Sequence, residues 1–334
     1  MLPDPQAIVD GLRILQRAIR NAVVDARERA DNASIARTSS ADTIYGIDDV
    51  IEPAMVRYLE IWSQSLPMVV IAEGLEPETG RAFPTGSDPS KAAVRIILDP
   101  IDGTRGLMFD KRSAWTLAGV APNKGADTRL SDIEVAMMTE LPTTKQWEGD
   151  VLWAVKGQGA KAVRENCIVR NKTAFEPLKL TRYAGDSITH AFATVFNPFP
   201  ATRVLAGQLM DHIVDRLNAD PTKSTIFDDQ YISTGGQHYE LAVGHDRFNA
   251  DLRPVFFRMQ GQPRHGLCCH PYDCAAALVA TEAGVIITDE RGGPLDAPLD
   301  TTSDLCWIGY ANAKLRDKIE PLIQEFLRAR GGLG

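Results

Sequence analysis

The sequence lacks any stretch of about 18 uninterrupted apolar residues, which argues against a membrane span. No apolar run follows Met1 either, and this argues against a signal peptide. The chain also has no excess of positive charge, because 36 Lys and Arg face 44 Asp and Glu for a net charge of −8. Nucleic acid is therefore disfavoured as a partner, and an anionic ligand would need local compensation of its charge.

Cysteine is scarce, with five in 334 residues. An odd number in a long chain favours a reducing compartment, and hence a cytoplasmic location, over a disulfide framework. Cys268, Cys269 and Cys274 lie close together and leave a zinc site open as an alternative. The adjacent pair lacks the usual Cys-x2-Cys spacing, so buried thiols are the favoured interpretation.

The pattern of apolar residues predicts a mixed α and β protein. Apolar residues at intervals of four and three from Ile8 to Val23 predict an amphipathic first helix. Alternating apolar residues predict antiparallel strands in three places: 115–120, 133–140 and 151–155. A polar composition rich in Ser, Thr and Ala predicts a loop over 31–46, and Pro, Gly and Ser predict another over 80–90.

From about Ser187 predicted strands alternate with predicted helices, which is typical of an α/β arrangement. The predicted fold class is thus α+β followed by α/β. We place a boundary near residue 185, with an N-terminal α+β subdomain over 1–185 and a C-terminal α/β subdomain over 186–334.

The hexapeptide Asp99-Pro100-Ile101-Asp102-Gly103-Thr104 is the most informative segment of the chain. It follows the apolar run Ala92–Leu98, which predicts a buried strand, so two carboxylates leave the same strand end. Pro100 stiffens the turn, and Gly103 lets the backbone turn sharply. Carboxylate oxygens suit hard divalent cations, and a helix beginning at Thr104 would suit phosphate. The alternative is an Asp-Pro turn with solvated acids.

Three segments together resemble one family. Leu98–Thr104 is similar to the signature of the inositol monophosphatase superfamily of Mg-dependent, lithium-sensitive phosphatases. His270–Ala277, followed by Thr281–Gly284, resembles its C-terminal signature, and Val70–Gly74 resembles its first acidic strand end. The superfamily includes inositol monophosphatases, fructose-1,6-bisphosphatases and 3′-phosphoadenosine-phosphate phosphatases. The resemblance implies a layered αβαβα sandwich and a homodimer.

The resemblance also implies a set of metal ligands. Asp99 would be the ligand shared by two Mg²⁺ ions, and Asp48 would lie beside a third, weaker site. The full implied set is Glu73, Asp99, the Ile101 carbonyl, Asp102, Asp273 and Asp48. Asp273 could instead cap the helix that follows it, which is compatible with metal binding, and Asp48 could be a first-turn acid.

For the reaction, the resemblance implies that Glu73 and Thr104 position and deprotonate a water. The N–H groups of Gly103 and Thr104 would hold a phosphate oxygen. Substrate contacts are implied for Arg105 and for the loop carrying Gly235 and Gly236.

The expected function is Mg-dependent hydrolysis of a phosphate monoester on a small metabolite, of the inositol phosphate or sugar phosphate type. Gly266 falls where inositol phosphatases carry a glutamate, which weakens inositol phosphate as the substrate. Two alternatives stay open. One is a phosphatase for 3′-phosphoadenosine phosphate or a sugar bisphosphate, and the other is a catalytically idle regulatory binding protein.

Overall fold

The computed structural model describes residues 2–27, 35–38, 43–167, 175–217, 220, 222–262 and 266–333. The described helices are α1 (Pro5–Arg27), α2 (Gly46–Trp62), α3 (Thr104–Met108), α4 (Arg203–Arg216), α5 (Thr234–Val243), α6 (Arg253–Met259), α7 (Ala277–Glu282) and α8 (Ala313–Ala329). Within these residues, no helix combines the length and the apolar character that crossing a bilayer requires.

The described strands fall into an N-terminal and a C-terminal group. The first comprises β1 (Ile35–Thr38), β2 (Thr43–Tyr45), β3 (Met68–Ala72), β4 (Arg81–Phe83), β5 (Val94–Asp102), β6 (Ala114–Pro122), β7 (Val135–Leu141), β8 (Glu148–Val155), β9 (Ala160–Asn166) and β10 (Phe175–Pro177). The second comprises β11 (Ala191–Val195), β12 (Ile226–Phe227), β13 (Asp246–Asp251), β14 (Ile286–Thr288) and β15 (Trp307–Tyr310).

The larger sheet has eight strands in the order β10-β9-β8-β7-β6-β5-β3-β4. Among its described strands only β3 and β5 run parallel to each other, and both end at the same edge of the sheet, where Ala72 pairs with Leu98. The apolar run of β3 and the mostly apolar first part of β5, interrupted by Arg95, are explained by burial on both faces. The acidic residues that follow these strands are therefore brought together.

The second sheet has five strands in the order β12-β11-β13-β15-β14. β11 runs parallel to β12 and β13, whereas β15 is antiparallel to both of its neighbours.

Helices separate and cover the two sheets. α1 and α2 pack on one face of the large sheet through a cluster that includes Leu12, Leu15 and Ile19. α5 and α7 pack between the two sheets, and α4 and α8 cover the outer face of the five-stranded sheet. The order of layers is α, β, α, β, α, which confirms the predicted sandwich.

Two predicted loops contain strands. Where 31–46 is described, β1 and β2 pair as an antiparallel hairpin rich in β-branched residues, so the loop prediction is wrong there. Within 80–90, β4 pairs with β3, because Phe83 of β4 is buried in the cluster that α1 and α2 form with the large sheet. No sequence signal considered above predicts α6, β15 or α8. The boundary near residue 185 falls between β10 and β11 and stays a prediction.

Candidate active site

The end of β5 forms a tightly bonded turn. The Ile101 N–H donates to Asp99 Oδ1 at 2.9 Å, and the Thr104 hydroxyl donates to the Ile101 carbonyl at 2.8 Å. Gly103 adopts a φ of +100°, in the left-handed region that favours glycine. These constraints hold Asp99 and Asp102 at one end of the strand, as the hexapeptide predicts.

The N-terminus of α5 holds Asp102. The Ser233 hydroxyl and the Gly235 N–H donate to Asp102 Oδ2 at 2.8 and 2.6 Å, and the Thr234 N–H donates to Oδ1 at 3.2 Å. A carboxylate is favoured at this position because a helix N-terminus carries partial positive charge and free N–H groups. This contact ties β5 of the large sheet to a helix of the layer between the sheets.

Asp273 approaches from the other half of the chain. It lies in a short 3₁₀ turn, Pro271–Cys274, and its Oδ2 accepts a hydrogen bond from the His270 N–H at 2.6 Å. Asp273 is thus the third residue of a capping box and not the N-cap residue itself. The carboxylate keeps further lone pairs for a ligand.

The carboxylate groups of Asp99, Asp102 and Asp273 form one cluster, in which Asp99 and Asp102 are buried and Asp273 is half-buried. One oxygen from each lies within 4.8 Å of the others. Burial raises the pKa of Asp99 well above its usual value, and repulsion from Glu73 and Asp102 adds to the effect. Burial, with repulsion from Asp273, raises the pKa of Asp102 to about 8. Burial raises the pKa of Asp273 to about 6, against the opposing influence of His270.

This cluster fits a divalent cation of the Mg²⁺ type. Three desolvated carboxylates repel one another in the ionised state, and a bound cation would remove that cost. The donors are all hard oxygens, which Mg²⁺ prefers.

A cleft opens above the cluster and encloses about 520 Å³, including space open to solvent. Glu73 lies at the end of β3, is half-buried, and lines this cleft together with Thr104 and Arg105. The predicted residues that line it are Glu73, Asp99, Ile101, Asp102, Gly103, Thr104, Arg105 and Asp273. Residues from both halves of the sequence therefore meet in one cavity.

One wall of the cleft is aromatic and basic. The Arg105 and Arg253 guanidinium groups each lie 5.5 Å from the centre of the Phe199 ring. Arg253 is buried and donates to Asp251 Oδ2 at 2.5 Å and to the Leu267 carbonyl at 2.6 Å. The motifs in the sequence assign no role to Phe199, although Phe196 and Phe199, three positions apart after a predicted strand, are a signal for this aromatic wall.

Comparisons with known proteins agree with this architecture. No protein-family model matches the chain. A curated fructose-1,6-bisphosphatase/inositol-1-monophosphatase from Methanothermobacter thermautotrophicus is 23% identical over 276 residues, which cover 82% of this chain and 80% of the relative.

Solved structures align over nearly the whole chain. Leishmania major fructose-1,6-bisphosphatase in its holo form gives a TM-score of 0.67 at 15% identity, covering 96% of this chain and 93% of the relative. The suhB protein of Bartonella henselae gives a TM-score of 0.61 at 16% identity, covering 96% of this chain and 99% of the relative. The chain has the fold of the inositol monophosphatase superfamily. The resemblance that the three segments suggest is confirmed.

The remaining residues that the superfamily resemblance singled out lie as follows. Asp48 is in the first turn of α2, but its side chain is outside the described part of the structure. Gly235 and Gly236 are buried behind Ser233 and Thr234, which line the cleft in their place. A Cβ on Gly236 would lie 2.2 Å from the Tyr231 ring, so this glycine allows close packing. Substrate contacts by the two glycines stay a prediction.

All five cysteines are buried and free of disulfides. Cys268 lines the cleft, and Cys269 Sγ lies 3.7 Å from Cys274 Sγ. Burial raises the pKa of the Cys268, Cys269 and Cys274 thiols, so they are protonated near neutral pH. Protonated, buried thiols pack as small apolar groups.

Proposed function

We propose that the protein is a Mg²⁺-dependent phosphatase that uses water to hydrolyse a phosphate monoester of a small metabolite. The observation that carries this proposal is the cluster of Asp99, Asp102 and Asp273, in which one carboxylate oxygen of each residue lies within 4.8 Å of the others. The curated relative and the Leishmania protein are both named as phosphatases, which supports the same class of reaction.

The three aspartates, with Glu73 and the Ile101 carbonyl, would hold two Mg²⁺ ions, and Asp48 would serve a third. Bound Mg²⁺ would neutralise charge on the phosphoryl oxygens and lower the pKa of a water molecule. Repulsion from Glu73, Asp102 and Asp273 adds to the raised pKa of Asp99, so its carboxylate lies among the other three acids, which suits the role of a shared ligand.

Glu73 and Thr104 would prepare the water. The Thr104 hydroxyl donates its only proton to the Ile101 carbonyl, so its oxygen lone pairs can accept a hydrogen bond from a water in the cleft. Glu73 lines the same cleft and can take up the proton that the water releases. The backbone N–H groups of Gly103 and Thr104 would bind a phosphate oxygen.

Inositol phosphates and sugar phosphates are the first candidate substrates. The wall formed by Arg105, Phe199 and Arg253 favours a second candidate, a larger or doubly phosphorylated substrate such as 3′-phosphoadenosine phosphate or a sugar bisphosphate. A guanidinium group can bind a second phosphate, and an aromatic face can contact a ring of the substrate.

The first experiment is hydrolysis of p-nitrophenyl phosphate with Mg²⁺, with the chelator EDTA, and by the Asp99→Asn variant. We expect turnover that requires Mg²⁺ and is lost in the variant. Binding of Mg²⁺ without any turnover, on this ester and on a panel of inositol, sugar and nucleoside phosphates, would favour the idle binding protein. A homodimer, a cytoplasmic location and the lack of nucleic acid or membrane partners stay predictions.

A further inference from the structure

Ser233 has two hydrogen bonds that serve different structures. As the N-cap residue of α5, its Oγ accepts a hydrogen bond from the Gly236 N–H at 2.9 Å. The same Oγ lies 2.8 Å from Asp102 Oδ2. Ser233 is 3% exposed and lines the cleft, so water does not compete freely for either bond.

The direction of the second bond follows from counting protons. A serine hydroxyl has one proton and two lone pairs, and the Gly236 N–H already supplies the proton of the first bond. The Ser233 proton is therefore directed at Asp102 Oδ2. That oxygen also accepts from the Gly235 N–H, whereas Oδ1 accepts, among the described residues, only the longer bond from Thr234. Oδ1 retains more capacity to bind a cation.

We propose that Ser233 is a positioning residue for Asp102: it holds Oδ2 against the N-terminus of α5 and leaves Oδ1 available to the metal ion. This inference rests on the proposed function, since it assumes that Asp102 is a metal ligand. Loss of the hydroxyl would free Asp102 to rotate and remove one donor from a buried carboxylate. Residues that orient a metal ligand in this way typically change metal affinity by about 10- to 100-fold when they are mutated.

The capping role and the positioning role can be separated by choosing the substitution. Glycine is a good N-cap residue, and its cost relative to serine is small. Ser233→Gly therefore keeps most of the helix cap but removes the donor to Asp102. Ser233→Ala removes both the cap and the donor.

Asn312 provides the matched control. It is the N-cap residue of α8, and its side chain accepts from the Lys314 and Leu315 N–H groups at 2.9 and 3.2 Å. Asn312 does not line the cleft that is described above. Asn312→Ala should lower the melting temperature and leave Mg²⁺ affinity unchanged.

The test is calorimetric titration of the metal-free protein with Mg²⁺ alone, together with thermal unfolding of each variant. We expect Ser233→Gly to raise the Mg²⁺ dissociation constant by about 10-fold or more. Its melting temperature should stay within about 3 °C of the wild type. The Mg²⁺ concentration for half-maximal activity should rise, while turnover at saturating Mg²⁺ recovers.

Wild-type Mg²⁺ affinity in Ser233→Gly would overturn the positioning role and leave the proposed function intact. A loss of affinity of the same size in Asn312→Ala would also overturn it, because the effect would then follow from stability. A wild-type protein that binds no Mg²⁺ would overturn the proposed function, and the role of Ser233 with it.

Discussion

Replacing Gly235 with alanine should damage the packing that joins the two halves of the site. A Cβ at this position would lie 2.4 Å from Leu117 Cδ2 and 3.0 Å from Asp102 Oδ2. Carbon atoms that do not bond to each other prefer about 3.5–4.0 Å, so the helix terminus or Leu117 must shift by about 1 Å or more. Such overpacking costs about 1–3 kcal/mol.

The control for this variant is Gly207→Ala in α4. Apart from its chain neighbours and the nearby backbone of its own helix, a Cβ on Gly207 would meet no heavy atom of the described residues within 4 Å, so alanine there should stabilise the helix by about 0.5–1 kcal/mol. Urea unfolding of both variants without metal measures the difference in their free energies of unfolding. The Gly235 N–H bond to Asp102 should also be displaced, and Mg²⁺ affinity should fall. A Gly235→Ala protein as stable as Gly207→Ala, with unchanged Mg²⁺ affinity, would refute the reasoning.

Three further predictions concern charge and ions. Asp99→Asn should lower turnover by at least about 100-fold and leave the melting temperature of the metal-free protein unchanged or higher, because it removes repulsion within a buried cluster; retention of more than a tenth of wild-type turnover would contradict this. Burial raises the pKa of Asp246 to about 6, so the folded protein binds a proton more tightly than the unfolded chain, and stability falls as pH rises from about 4 to about 6. Asp246→Asn should therefore gain about 3 kcal/mol in the free energy of unfolding by urea at pH 7.5 and less than about 1 kcal/mol at pH 4, and an equal effect at both pH values would exclude that cause. Lithium should inhibit turnover in competition with Mg²⁺, as the superfamily resemblance implies, and full activity at high lithium would argue against a second metal site.

The sequence predicts the part of the site that is local in the chain. Asp99 to Thr104 lie within six residues, and the apolar run before them identifies β5 as a buried strand. Because that strand is parallel to β3, Glu73 is brought to the same edge and lines the cleft, while its role as a metal ligand stays a prediction. The amphipathic stripe of α1 likewise predicts the helix that covers the large sheet.

The contacts between distant segments could not be predicted. Ser233 is an ordinary N-cap residue in the sequence, and its bond to Asp102 depends on how α5 packs against β6 and the end of β5. The strand β4 could not be predicted for a similar reason, since its pairing with β3 follows from burial of one aromatic side chain, Phe83. Tertiary packing decides such short elements, whereas their intrinsic propensity is weak.

The central claim is that carboxylates from separate parts of the chain share divalent cations. Anomalous diffraction from crystals soaked in Mn²⁺, a substitute for Mg²⁺ that scatters X-rays anomalously, tests this claim most directly. We predict two peaks about 3.5–4 Å apart among Asp99, Asp102, Asp273 and Glu73. Crystals that bind Mn²⁺ only at other places would contradict the claim. So would crystals that bind no Mn²⁺ although the cleft above the three aspartates is open to the soaking solution.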